Sequence, residues 1–315
     1  MHSIRVRASN TPRRPFAAIA SGLLLSCGMQ AESQSETATH SPPYVNPSSD
    51  AAVPAEPRLP RPDFRYRGLT RGCPVWSVRV GDSPRDFCID RFEAHLVEMR
   101  GGKELIHPHF QIPGRDDFIA RSAPMVRPQR SVNRLEARSF CTNAGKRLCT
   151  MHEWKLACMG PETFPYPYGN KETSGKCNTH KAHALSVFAG TNNKEWSKGD
   201  MNDPILTMVP GTLEDSGVYR GCVSAFGAYD MVGNIHEWVS DDVDETMISS
   251  MPYIGKDKPA AGGPFAAVGN GIFMGGYFSS ANENGKGCNY ATIAHAPGHR
   301  DYSVGFRCCS EVMGE

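Results

Sequence analysis

Ten cysteines lie between residues 73 and 309, and that even number limits the fold more than any other feature of the chain. They are Cys73, Cys88, Cys141, Cys149, Cys158, Cys177, Cys222, Cys288, Cys308 and Cys309. In an exported chain such a set reads as a disulfide framework of up to five bridges. Zinc is the competing use, but no Cys-x-x-Cys pair occurs, which argues against a zinc ribbon. Cys308 and Cys309 are too close in sequence to bridge each other easily, so each needs a distant partner. Gly and Pro together are about 17% of the 315 residues. A framework of bridges over many turns excludes a helical bundle or a coiled coil, and no apolar heptad is sustained.

An export signal is expected at the start. Arg5, Arg7, Arg13 and Arg14 precede a short apolar stretch from Phe16 to Leu25, with no acid before it. A basic segment, a short apolar segment and small residues are the parts of a signal peptide. Leu24-Leu25-Ser26-Cys27 resembles a bacterial lipobox, which makes residues 1–26 the signal and Cys27 the lipidated first residue. Removing that signal takes away four Arg and no acid, so the formal charge falls from +1 to −3. Neither value marks a nucleic-acid-binding protein. Acyl chains give firm membrane anchoring, because each buried CH₂ adds about 0.8 kcal/mol. Gly28 after the lipidated Cys favours the outer membrane, with the domain on the periplasmic face the other placement. Residues 27–63 hold seven Pro between Pro42 and Pro62, with Ser and Ala among them, and read as a tether. Residues 64–315 read as one folded domain.

Two helices are legible in that domain. Asn133 stands three residues before Glu136, and Thr150 three before Glu153, both capping-box patterns. The first helix is expected to run to about Ala144 and stop at Gly145, with Leu135, Phe140, Cys141 and Ala144 available for burial. The second carries Met151, Trp154, Leu156, Ala157 and Cys158 and ends at Gly160. Short strands are expected over 86–92, 271–277 and 303–309. The fold class is α+β, with two short helices, many short strands, low regular structure and a dense disulfide framework.

Five stretches then occur in a telling order: DFCIDRFE (86–93), PMVRPQRSVNRLEARSFCTNAGKRLCTMHEWKLACMG (124–160), YPYG (166–169), GAYDMVGNIHEWVSD (227–241) and GGYFSS…GFRCC (275–309). The set resembles the formylglycine-generating enzyme, or sulfatase-modifying factor, family, over roughly 220 residues. The resemblance implies a fold similar to C-type lectins, with a cleft near the C-terminal motif. It also implies that Cys141 pairs with Cys308 and Cys158 with Cys288. The other six cysteines have no motif to fix them, and the pairing expected for them is Cys73–Cys88, Cys149–Cys309 and Cys177–Cys222.

The resemblance further implies a structural calcium ion. Its ligands are expected to be the Asp230 and Glu237 carboxylates and the Gly233 and Ile235 carbonyls, since calcium takes six to eight oxygens. Without a metal, Asp230 would cap a turn while Trp238 and Val232 pack the core. Asn178-Thr179 resembles the opening of a second such site. At the catalytic position the chain departs from the family. Copper-dependent relatives carry two thiols after a Gly-Gly-Ser, and paired thiolates suit soft Cu(I). Here Gly275-Gly276 is followed by Tyr277, Ser280 occupies the first thiol position, and Gly285 or a neighbour the second. Copper and formylglycine formation by that route are therefore not expected. The Trp usual after Gly-Asn-x is His236. The candidate cleft residues are Tyr277, Ser279, Ser280 and His236, with Arg300, Asp301 and Tyr302 lining the cleft or paired at the surface. His295 and His299 are four apart but separated by Pro297 and Gly298, which disfavours a helical metal pair. Two functions follow: a cell-envelope lipoprotein that binds a peptide, protein or glycan, or a periplasmic enzyme of the family with other chemistry.

Overall fold

The computed structural model describes residues 70–81, 86–189, 200–251 and 265–314. The expected signal, Cys27, the tether and the first residues of the expected domain lie outside them. Among the described residues there are eleven strands and four α-helices. In chain order the strands are β1 (Ser77–Val80), β2 (Phe87–Asp90), β3 (Ala94–Arg100), β4 (Lys103–Ile106), β5 (Ile119–Ser122), β6 (Arg147–Leu148), β7 (His236–Asp242), β8 (Gly271–Met274), β9 (Ala291–His295), β10 (Val304–Phe306) and β11 (Cys308–Glu311). The helices are α1 (Arg134–Asn143), α2 (Met151–Met159), α3 (Ala184–Ala189) and α4 (Glu245–Ser250). The strands form three small sheets, ordered β1-β2-β11-β6, β10-β7-β8-β9 and β4-β3-β5.

Both capping boxes form. Asn133 and Thr150 accept from the amides of Glu136 and Glu153, and each Glu reaches back to the cap amide. The first helix buries Ala137, Phe140 and Cys141, with Ala144 partly buried against them. That spacing traces one helical face. Leu135 lies off it and is 56% exposed, contrary to the expectation of burial. α3 and α4 were not expected. Each has six residues, too few for an apolar period to register, although Asp244 caps α4 through the Met247 amide.

The strand expected over 303–309 is two strands that meet at Arg307. β10 runs parallel to β7, while β11 lies antiparallel to β2 and β6. Arg307 thus sits where the chain passes from one sheet to another.

Five disulfides tie these pieces together: Cys73–Cys88, Cys141–Cys308, Cys149–Cys309, Cys158–Cys288 and Cys177–Cys222. Two of them fix α1 and the residue before the α2 cap to neighbouring positions of β11. A third fixes the end of α2 to the turn before β9. The core between them is built on fully buried Trp154, Trp238, Phe140 and Phe306. Trp238 satisfies its indole N–H on the Val132 carbonyl at 2.8 Å. Among the described residues no helix is long and apolar enough to cross a membrane.

Candidate functional site

The sheet β10-β7-β8-β9 places side chains around one cavity of about 520 Å³. β7 contributes His236 at its first residue, β8 Phe273, and β9 Thr292 and His295. The rest comes from loops. After β8 the chain turns through Gly275 and Gly276, both at positive φ. At Gly276 a Cβ would collide with the Ser280 carbonyl oxygen, so glycine is required there. The turn closes with the Tyr277 amide donating to the Ser280 carbonyl at 2.8 Å and the Ser280 amide returning to Tyr277 at 3.1 Å. It delivers Tyr277, Ser279 and Ser280 to the cavity. All four candidate cleft residues named from the sequence are therefore neighbours.

A chain of polar contacts crosses the cavity wall. Ser280 Oγ donates to the Glu283 carboxylate and lies 3.3 Å from the Tyr290 hydroxyl. That hydroxyl is 3.3 Å from His236 Nε2, and His236 Nδ1 is 3.3 Å from Ser303 Oγ. Ser303 donates to Asp301 from both its amide and its hydroxyl at 2.7 Å, and His299 Nε2 lies 2.9 Å from the other Asp301 oxygen. His236 is buried among the rings of Phe273, Tyr277 and Tyr290. Burial pushes its pKa down to about 3, so the imidazole is neutral. Burial alone would raise Asp301, but the hydrogen bonds from His299 and Ser303 hold it well below the usual carboxylate range. Tyr277 is bonded to Tyr302 and Ser279, and burial raises its hydroxyl.

His295 and His299 do come together, with stacked rings 4.0 Å apart. A turn through Pro297 and Gly298, not a helix, achieves this. Among the described residues no group of three or more His, Cys, Asp or Glu side chains converges on a metal position. Of the three residues expected at the cleft or paired at the surface, Arg300 pairs with Glu136 at 3.0 Å, while Asp301 and Tyr302 line the cavity. Sequence reasoning did not reach His183, Glu283, Asn284, Tyr290 or Thr292, all of which line the cavity. These residues belong to no motif, and only the folding of two loops against β9 gathers them.

The residues expected to hold calcium meet different partners. Glu237 is fully buried and accepts from Trp154 Nε1 at 2.7 Å and from Arg307 Nε and Nη2, both at 2.6 Å. Asp230 accepts from the Gly217 amide at 2.6 Å. Asn178 lies against this segment, with Nδ2 2.8 Å from Asn234 Oδ1. Burial, then the charge of Glu237, raises the Asp230 carboxyl to about 7. Glu93 is pushed up too, by burial and by Asp230 and Glu237. Both Glu237 oxygens are already taken by a guanidinium, which supplies the positive charge calcium would bring. Asp230, Gly233, Ile235 and Glu237 as placed here do not fit a calcium ion.

A family model described as the sulfatase-modifying factor enzyme 1-like domain matches residues 94–312. The chain belongs to that family. Within it, the formylglycine-generating enzyme of Mus musculus is 32% identical over 143 residues, covering 41% of this chain and 33% of that protein. The formylglycine-generating enzyme of Mycobacterium tuberculosis is 31% identical over 131 residues, covering 41% of this chain and 38% of that protein. The chain thus spans about a third of the length of these relatives. PvdO from Pseudomonas aeruginosa is 16% identical, with a TM-score of 0.40, covering 78% of this chain and 98% of that one. The fold is formylglycine-generating-enzyme-like. Its disulfide framework fits an exported protein of the family.

Proposed function

We propose that this protein is an exported, lipid-anchored member of the sulfatase-modifying factor family whose cleft binds a ligand and does not form formylglycine by paired-thiol copper chemistry. One observation carries the reading. All ten cysteines of the described residues are committed to disulfides, and no cysteine lines the cavity. Ser280 stands at the first thiol position, and a hydroxyl is a poor ligand for soft Cu(I). The fold then serves as a rigid scaffold for a small aromatic-walled cavity, of a size that suits a small molecule or one peptide side chain. The Cys27 anchor and the proline-rich tether, read from the sequence, would hold that cavity away from a bilayer.

A second reading keeps an enzyme at the same place. The run from Glu283 through Ser280, Tyr290, His236 and Ser303 to Asp301 resembles an acid–base relay, and it favours divergent family chemistry. One experiment tests the first reading's exclusion of formylglycine formation. The purified full chain, supplied with copper and oxygen, is incubated with a sulfatase-type cysteine peptide, and the products are read by mass spectrometry with oxygen uptake. The binding reading expects no aldehyde and no oxygen consumption above the peptide alone. Aldehyde formation sinks it.

A further inference from the structure

The cavity lining holds no lysine or arginine. Its lining carboxylates are Glu283 and Asp301. Of the lining histidines, His183 and His295 are shifted toward the neutral form by burial, and both ring nitrogens of His236 face hydroxyls, of Ser303 and Tyr290. Both Asp301 oxygens are already engaged, one by the amide and hydroxyl of Ser303 and the other by His299 Nε2. Arg130 lies within Coulomb range of Asp301, but its guanidinium is bound to Ser131 and to the Asn202 and Phe110 carbonyls. Glu283 is different. It is exposed, accepts from Ser280 Oγ and the Asn282 amide, and among the described residues pairs with no lysine or arginine. It is the carboxylate with charge left for a ligand.

Around these groups stand the rings of Phe273, Tyr277, Tyr290 and Tyr302. An aromatic face carries a negative quadrupole and attracts a cation by about 0.5–2 kcal/mol, more as water is excluded. A concave wall of one sign concentrates counter-ions of the other. An anion would enter against both effects. A neutral polyol would gain from the Ser279, Asn284 and Thr292 side chains but nothing from the carboxylate.

We infer that the cleft takes an organic cation, a primary ammonium or guanidinium on a flexible stem, as in a lysine or arginine side chain of a peptide. This deepens the reading of the cleft as a binding site and rests on it.

Three probes of one shape test the charge preference: n-pentylammonium, 1-pentanol and pentanoate, measured on the full chain by calorimetry and saturation-transfer NMR. Pentylammonium is expected to bind at least about tenfold more tightly than pentanol, a difference of about 1.4 kcal/mol. Pentanoate is expected to be the weakest. Glu283→Gln should weaken pentylammonium by about tenfold and leave pentanol unchanged. Raising the salt should weaken the ammonium alone, because the rim carboxylate is screened. Equal binding of amine and alcohol, tighter binding of pentanoate or of a neutral oligosaccharide, or no binding by any probe overturns the inference. The series on the unmodified chain decides this without the variant. Aldehyde formation on a cysteine peptide would instead sink the non-oxidase reading, and would leave a measured charge preference standing.

Discussion

Arg307 grips both carboxylate oxygens of Glu237 inside the core, with Nε and Nη2 each 2.6 Å from one oxygen. The pair is fully buried and its guanidinium also donates to the Tyr229 carbonyl at 2.8 Å and the Asp90 carbonyl at 3.0 Å. Burial alone would lower the Arg307 pKa, but Glu237, Glu93 and Asp230 raise it. Breaking such a pair leaves an uncompensated buried charge and costs about 3–5 kcal/mol. Arg307→Met should therefore lower the denaturant midpoint by that equivalent. Arg307→Met with Glu237→Met should lose less than the sum of the two single changes. Because the guanidinium neutralises Glu237, chelator should leave the melting temperature unchanged. A rise with added Ca²⁺ would show that the segment holds the ion despite the Arg307 pair.

The disulfides differ in the length of chain they close. Cys141–Cys308 spans 167 positions and Cys73–Cys88 spans 15. Loop closure restricts the unfolded chain more for the longer loop, about 5 against about 3 kcal/mol in the chain-entropy account. Replacing both partners by Ser avoids a free thiol in each case. Urea unfolding of the two double variants should rank Cys141→Ser/Cys308→Ser as the less stable. The reverse order would mean that native packing around the bridges outweighs loop length.

The parts of the fold legible in the sequence were those written locally or by motif. Asn133/Glu136 and Thr150/Glu153 announce their helices because a cap needs only three residues of spacing. The Gly275-Gly276 turn and the His236 segment were legible through family order, so Tyr277, Ser279, Ser280 and His236 were found together. Leu135 was misplaced because its neighbours on the helix face, not its own hydrophobicity, set which side is buried. Glu283 and Tyr290 were missed because nothing in their local sequence marks them; β9 and the loop before it bring them to His236. The calcium ligands Asp230, Gly233, Ile235 and Glu237 were carried over from the resemblance of one segment, and no local signal in that segment shows that Arg307, 70 positions away, pairs with Glu237.

Acid should destabilise the protein through its buried histidines. The folded pKa of His236 is about 3, with burial as the main cause and Asp301, His295 and His299 as the charged neighbours. The unfolded value is about 6.5. A folded value below the unfolded one means that the unfolded chain takes the proton first. Stability from this group is therefore full above about pH 6.5 and falls by about 1.4 kcal/mol per pH unit toward pH 3. His295, held near 4 by burial, acts in the same direction down to that pH. Unfolding free energies measured at pH 6.5 and 5 should differ by about 2 kcal/mol on account of His236 alone. His236→Phe should remove that share of the slope; an unchanged slope would show that His236 protonates in the folded state.

Ser280 and Gly285, the latter or a neighbour aligned by the family resemblance with the second of two thiol positions, differ in whether this fold can accept a side chain. Ser280 is partly exposed, and its hydroxyl bonds to exposed Glu283. Ser280→Cys should be tolerated within about 1 kcal/mol. It should add one reactive thiol per chain relative to the unmodified protein, counted with a thiol reagent. Gly285 is at φ +109°, and a Cβ there would run into the Asn289 carbonyl oxygen. Strain of that kind costs about 1–3 kcal/mol at a single residue, and the collision with backbone adds to it. Gly285→Cys should therefore lower the melting temperature clearly, and Ser280→Cys with Gly285→Cys should bind Cu(I) no better than Ser280→Cys alone. Copper binding by the double variant at a stoichiometry of one per chain, with native stability, would show that the loop still holds the geometry of a dithiolate site and that only the two sulfurs are missing.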